Sequence, residues 1–153
     1  MIPKYLRALA DSSPRDVTLS RLLDLSKQLI GRPSYLAFLN EYPAAIEKLI
    51  GILNQSEWMA DYLSRYPILL DELIGAQLLD THFDWQELKR HLAYELRKAG
   101  NDVEAQMDLM RQVQHSFIFR LAMQELHQLW CVEDLSDQLA FLADILLEIS
   151  LYQ

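Results

Sequence analysis

Residues Asn101 to Trp130 read NDVEAQMDLMRQVQHSFIFRLAMQELHQLW, and this run decides the fold class. It holds no Gly or Pro after Asp102. Val103, Met107, Met110, Val113, Phe117, Leu121, Ala122, Leu126 and Leu129 recur mostly at steps of three and four, which puts them on one side of an α-helix. Asn101 or Asp102 can accept from the unpaired first-turn amides as N-cap. The spacing predicts a helix of about 28 residues, roughly 40 Å long, against which shorter helices would pack.

Towards the C-terminus, Cys131-Val132 reads as a tight turn, and a last helix starts at Glu133 or Asp134. Its inner face is Leu135, Leu139, Leu142, Leu146 and Ile149, widened by Phe141, Ile145 and Leu147. So short a connection predicts an antiparallel hairpin as the core of the molecule. The last helix runs to Gln153 without a C-cap glycine or polar tail, which suggests a piece cut from a longer protein.

Towards the N-terminus, Ala99-Gly100-Asn101 marks a stop and restart, and Asp84 caps a helix to Lys98 with Trp85, Leu88, Leu92 and Leu96 as its stripe. Gly75 to Phe83 reads as a loop. Short helices precede it, opened by Pro33, Pro43, Ser56 and Pro67, the last running from Ile68 to Ile74. Trp58, Met59, Tyr62 and Leu63 are expected on the inner side of the helix capped by Ser56. Arg15 to Ile30 forms a helix stopped by Gly31 as a C′ residue, and Ile2 to Ala10 another. The breaks recur every ten to thirteen residues, yet the lengths and inner faces differ too much for a solenoid. The expectation is one all-α domain over residues 1–153, an irregular multi-helix bundle built on the C-terminal antiparallel hairpin.

The 153 residues carry a net charge of −8 and are 51% hydrophobic, an ordinary globular balance with enough chain for a core. Acidity disfavours a phosphate backbone as partner; the densest basic cluster, Lys89, Arg90, Arg97 and Lys98, is interrupted by Glu95 and flanked by Glu87. A single cysteine, Cys131, permits no internal disulfide and fits a reducing cytoplasm. The most apolar window, Leu135 to Leu151, is broken by Asp137, Asp144 and Glu148 and does not read as a membrane span.

Glu87, His91 and Glu95 stand at four-residue steps and could form a metal-ligating face, but the same spacing makes a solvated face of charge pairs. Neither Glu-x-x-His nor His-Glu-x-x-His occurs. His115 and His127 lie about 120° apart on a helix and do not share a ligand site, and His82 sits in the loop. Cys131 beside Trp130 reads as a small buried hydrophobe without an activating base. Trp58, Tyr62, Tyr66, Trp85 and Trp130 read as core anchors rather than a stacking platform. No phosphate loop or nucleophile elbow is present. Catalytic, cofactor-binding and metal residues are therefore all assigned as none.

Four segments appear in a telling order: Arg32-Pro33-Ser34-Tyr35-Leu36-Ala37-Phe38-Leu39, Glu41-Tyr42-Pro43-Ala44-Ala45, Ser56-Glu57-Trp58-Met59-Ala60, and Arg65-Tyr66-Pro67-Ile68-Leu69-Leu70-Asp71-Glu72-Leu73. Asp102 to Asp108, Phe119-Arg120-Leu121-Ala122 and Val132 to Leu139 continue it. Together they resemble the helical region of the glutamine synthetase adenylyltransferase family that precedes its second nucleotidyltransferase domain. The resemblance implies a large cytoplasmic enzyme of nitrogen regulation. It attaches and removes adenylyl groups on glutamine synthetase, uses ATP and Mg²⁺, and responds to signal protein PII and glutamine. The family's catalytic motif, a Gly-Ser pair followed by Asp-x-Asp on a sheet, has no counterpart here. What the resemblance implies for this chain is a non-catalytic regulatory or spacer region. Its expected partners are the flanking nucleotidyltransferase domains, with glutamine synthetase and PII as further candidates. The alternatives are a self-standing helical protein-interaction module and a small metal-binding bundle.

Overall fold

In the computed structural model, residues 15–75 and 77–151 are described; the helix expected from Ile2 to Ala10 lies outside them. Among the described residues every regular element is helical. The order is α1 (Arg15–Leu29), α2 (Pro33–Glu41), α3 (Pro43–Gln55), α4 (Glu57–Arg65), a 3-10 helix (Pro67–Ile74), α5 (Trp85–Ala99), α6 (Val103–Leu126) and α7 (Val132–Leu151). The chain is thus all-α, as its periodicity predicts.

The starts follow from local chemistry. Pro33, Pro43 and Pro67 each occupy the first turn, where the missing N–H costs no hydrogen bond. Ser56, Asp84 and Asp102 accept from the backbone N–H of Met59, Glu87 and Ala105 at 3.2, 2.8 and 3.0 Å. One end differs from expectation. Gly31 does not adopt a left-handed conformation; that role falls to Gly100, at φ 62° and ψ −132° after α5. A side chain at Gly100 would meet no atom within 4 Å, so the cost of adding one is backbone strain alone. Gly100→Ala is expected to lower stability by about 1–3 kcal/mol, and Gly31→Ala to leave it unchanged or slightly raised. Urea unfolding of the two variants side by side checks this, and equal midpoints would contradict it.

Contacts group the chain into two compact units, 1–78 and 79–153. In the first, α3 lies against α1, α2, α4 and the 3-10 helix. Its Ala45, Leu49 and Leu53 are fully buried, joined by Leu63 of α4. The segment expected as an ordinary helix from Ile68 is a 3-10 helix. Pro67, Leu70 and Leu73, three residues apart, eclipse one another along it and all three are buried. Polar ties close this unit. Arg21 donates to the Leu53 carbonyl at 2.7 Å, near the C-terminus of α3, where a cation complements the helix dipole. Thr18, wholly buried, donates to Asn54 Oδ1 at 3.1 Å, and Lys48 Nζ to the Leu73 carbonyl at 2.7 Å.

Along α4 and its C-cap, Trp58, Tyr62 and Tyr66 form a ladder with ring centroids 4.7 and 5.0 Å apart. Trp58 does not anchor a core, since it is 53% exposed and covers Tyr62 from outside. Burial, aided by Tyr66, pushes the Tyr62 hydroxyl up to about 12 from 10.0. The folded state therefore holds this proton where the unfolded chain releases it. Stability is expected to fall as pH rises from 10 towards 12, less so in Tyr62→Phe. Alkaline unfolding followed by circular dichroism reads this, and identical alkaline limbs for the two proteins would refute it.

In the second unit, α5, α6 and α7 pack pairwise. Leu92 and Leu96 of α5 meet Ile145 and Ile149 of α7, with Trp85, Leu109, Met110, Val113 and Leu146 around them. Ser150 Oγ lies 3.9 Å from Met110 Sδ, so the end of α7 reaches the first half of α6. The long helix is shorter than expected. It stops at Leu126 rather than Trp130, and α7 begins at Val132, leaving five connecting residues. Gln128, at φ 55°, turns the chain out of the helix, and Leu129 N–H bonds back to the Gln124 carbonyl at 3.0 Å. The expected apolar stripe also changes. Val103 and Met107 are 63% and 48% exposed, whereas Phe119, Leu121 and Met123, on differing sides of the helix, are buried.

Candidate functional site

The second unit gathers side chains that the sequence leaves scattered. Asp84 caps α5 and thereby fixes Trp85 in its first turn, with Phe83 just before it. Phe83 and Trp85 each lie 5.3 Å from Phe117 of α6, centroid to centroid, and 5.3 Å from one another. Trp130 stacks on Phe83 at 6.4 Å, and Phe141 of α7 lies 6.1 Å from Trp85. The Arg120 guanidinium stands 4.9 Å over the Phe83 ring and 5.3 Å over Phe117, a cation on aromatic faces.

A buried amide holds this cluster in place. Gln124 is completely buried in α6, accepts from the Trp130 indole N–H at 2.6 Å and donates to the Asp80 carbonyl at 2.9 Å. Both polar ends are satisfied, the condition under which an amide is tolerated in a core. One side chain thus ties the segment before α5 to the segment after α6.

Beside the aromatic cluster an open groove of about 730 Å³ runs between the start of α5 and the middle of α7. Phe83, Trp85, Phe141 and Ile145 form its apolar lining, and His82, Asp84, Lys89, Asp144 and Glu148 its polar and charged lining. Lys89 Nζ pairs with Glu148 across the two helices. Such a surface can recognise an amphipathic group; it assembles no nucleophile with a base.

The residues singled out by spacing go elsewhere. Glu87 pairs with Arg90 at 2.7 Å and Glu95 with Lys98 at 3.7 Å, while His91 is exposed. No group of three His, Cys, Asp or Glu among the described residues is placed to hold a metal ion. These pairs engage Arg90 and Lys98 of the basic cluster, Lys89 pairs with Glu148, and Arg97 Nε donates to the Ala93 carbonyl at 3.0 Å. His127 is the residue after α6, its Nδ1 2.8 Å from the Met123 carbonyl. Cys131 is exposed rather than buried. It stands just before α7, where its thiol bonds to Asp134 Oδ2 at 3.0 Å, and that carboxylate pushes the thiol's pKa up, away from nucleophilic thiolate. Phe83, Phe117, Gln124 and Phe141 carry the site but have no spacing that marks them.

His115, on α6, has its pKa lowered by burial first and by the Arg111 charge second. A histidine depressed in the folded state binds its proton more readily when unfolded. Its contribution is therefore intact above the ordinary value of 6.5 and is lost as pH falls below it. Wild type is expected to lose more stability between pH 7 and pH 5 than His115→Gln. Urea midpoints at the two pH values measure it, and parallel losses would dismiss the role of His115.

No helix among the described residues is long and apolar enough to cross a membrane. The glutamate-ammonia ligase adenylyltransferase family model matches residues 46–153. The chain is similar to the bifunctional glutamine synthetase adenylyltransferase/adenylyl-removing enzyme of Neisseria meningitidis serogroup A. The two are 52% identical over 151 residues, which is 99% of this chain and 17% of that protein. Proteins of the same description from Chromobacterium violaceum and Ralstonia nicotianae are 43% and 41% identical, over 96% and 99% of this chain. The chain spans 16–17% of the length of these relatives. The order of segments from Arg32 onward thus has its explanation: this chain belongs to the glutamate-ammonia ligase adenylyltransferase family.

Proposed function

We propose that this chain is a non-catalytic helical region of a bifunctional enzyme that attaches adenylyl groups to glutamine synthetase and removes them. It would set the placement of the flanking nucleotidyltransferase domains and carry regulatory signals between them. The observation that supports this most is family membership in a chain whose sequence offers no Asp-x-Asp pair to hold a nucleotide-bound metal. In the whole enzyme ATP and Mg²⁺ would then be bound by other domains, in the cytoplasm, with glutamine synthetase and PII as partners.

The test uses the 153-residue chain with glutamine synthetase, ATP and Mg²⁺. No incorporation of labelled adenylyl groups is expected, while titration with PII or its uridylylated form should shift amide signals of the chain. Incorporation of label would overturn the non-catalytic reading, and an unchanged spectrum would overturn the signalling role. A second reading, a helical interaction module acting by itself, draws on the exposed Val132, Leu139, Leu147 and Leu151 of α7. It predicts capture of a partner that belongs to no adenylyltransferase.

A further inference from the structure

We propose that the groove between α5 and α7 receives an arginine side chain presented by another polypeptide segment, stem against its aromatic residues and guanidinium against its carboxylates. The groove's chemistry is independent of the role proposed above. Its apolar and its charged lining ask for different things. Trp85, Phe141 and Ile145 offer apolar and aromatic surface, and Phe141 remains 51% exposed. The charged lining holds three carboxylates, Asp84, Asp144 and Glu148, against one lysine and the exposed imidazole of His82. That lysine, Lys89, is already engaged by Glu148. Asp144 is exposed and makes no ion pair with a described cation. The groove therefore carries surplus negative charge over an aromatic base, in a chain whose net charge is −8.

An anion would meet repulsion from three carboxylates, and a purely apolar side chain would desolvate them without compensation. A cation on a hydrocarbon stem satisfies both surfaces. Arginine fits better than lysine, because its planar guanidinium stacks on aromatic rings and pairs with a carboxylate through two parallel bonds. The same aromatic cluster already carries one arginine of this chain. Phe83 and Phe117 carry the Arg120 guanidinium, whereas no described cation lies over Trp85 or Phe141.

The probe is the peptide acetyl-Leu-Arg-Leu-amide, titrated into the full chain and followed by amide and indole NMR. Saturable shifts are expected at the Trp85 indole and in residues 82–89 and 141–148. The same peptide with citrulline, which keeps the shape and removes the charge, should bind at least about fivefold more weakly. Asp144→Asn and Phe141→Ala should each weaken the arginine peptide by about two- to fivefold, the scale of exposed ion pairs and cation–π contacts. About 1 M salt, where the Debye length is about 3 Å, should weaken it further. Both substitutions are at exposed positions, so retained circular dichroism accompanies each measurement. Equal affinity for the citrulline peptide, shifts centred elsewhere, no shifts at all, or affinity unchanged in the doubly substituted chain would each overturn the proposal.

Discussion

Phe119→Ala is expected to lower the stability of the chain by about 3–5 kcal/mol, the range for removing a large aromatic side chain from a closed core. Among the described residues Phe119 is the largest side chain at 0% exposure, and it sits in the second half of α6. The loss combines two effects of the same sign. Apolar atoms lose their transfer free energy, and the backbone of a helix covered on several sides cannot collapse into the vacated space. Phe141→Ala supplies the contrast within the same unit, because Phe141 is half exposed and its removal leaves an open groove rather than a cavity. Chemical unfolding of the two variants should separate them by more than about 2 kcal/mol. A difference within the error of the midpoints would mean that α6 is not held as tightly as its burial indicates.

The second large effect belongs to Gln124. Gln124→Leu keeps the volume but strips two hydrogen bonds, leaving the Trp130 indole N–H and the Asp80 carbonyl without partners. Asp80 lies at the surface and Trp130 is half-buried, so water can take up part of what is lost, and a loss of about 1–3 kcal/mol is expected. Gln124→Glu is the sharper variant. Its carboxylate still accepts from Trp130, since the indole can only donate, but it presents a second acceptor to the Asp80 carbonyl and buries a charge. Protonation restores a donor, so this variant alone should gain stability relative to wild type as pH falls towards 5. Hydrogen exchange of the Trp130 indole provides an independent readout. Unchanged protection in Gln124→Leu, together with a loss below about 1 kcal/mol, would show that the amide does not hold the two segments.

The features that were legible in the sequence are those whose cause lies within a few residues. Pro33, Pro43 and Pro67 start helices because a ring with no N–H costs nothing there, and Ser56, Asp84 and Asp102 cap because their oxygens reach amides three residues on. What was not legible has distant or unmarked causes. The end of α6 at Leu126 is local but unmarked: Gln128 takes the positive φ that a glycine or asparagine usually supplies, and Leu129 N–H bonds back to the Gln124 carbonyl. Trp58 reads as core from its chemistry alone, yet it is half exposed because its helix turns Met59, Ala60 and Leu63 inward instead. Cys131 reads as a buried hydrophobe, but its place just before α7 puts it in solvent beside Asp134. The groove was invisible for the same reason. Trp85 meets Phe141, and Lys89 meets Glu148, across more than fifty residues of chain, and no spacing rule reaches that far.

The division at Leu78 has a consequence in time rather than in space. Among the described residues, the main helix–helix contacts of the first unit lie within residues 15–74, and those of the second between α5, α6 and α7. Helical chains with contacts so near in sequence fold in microseconds to milliseconds. A ribosome adding about 5–20 residues per second needs roughly 4–15 s to make residues 79–153 after Leu78 is in place. Once it has cleared the exit tunnel, the first unit can close over Leu49, Leu53 and Leu63 long before Phe141 is synthesised, so its apolar helices spend little of their synthesis open to aggregation.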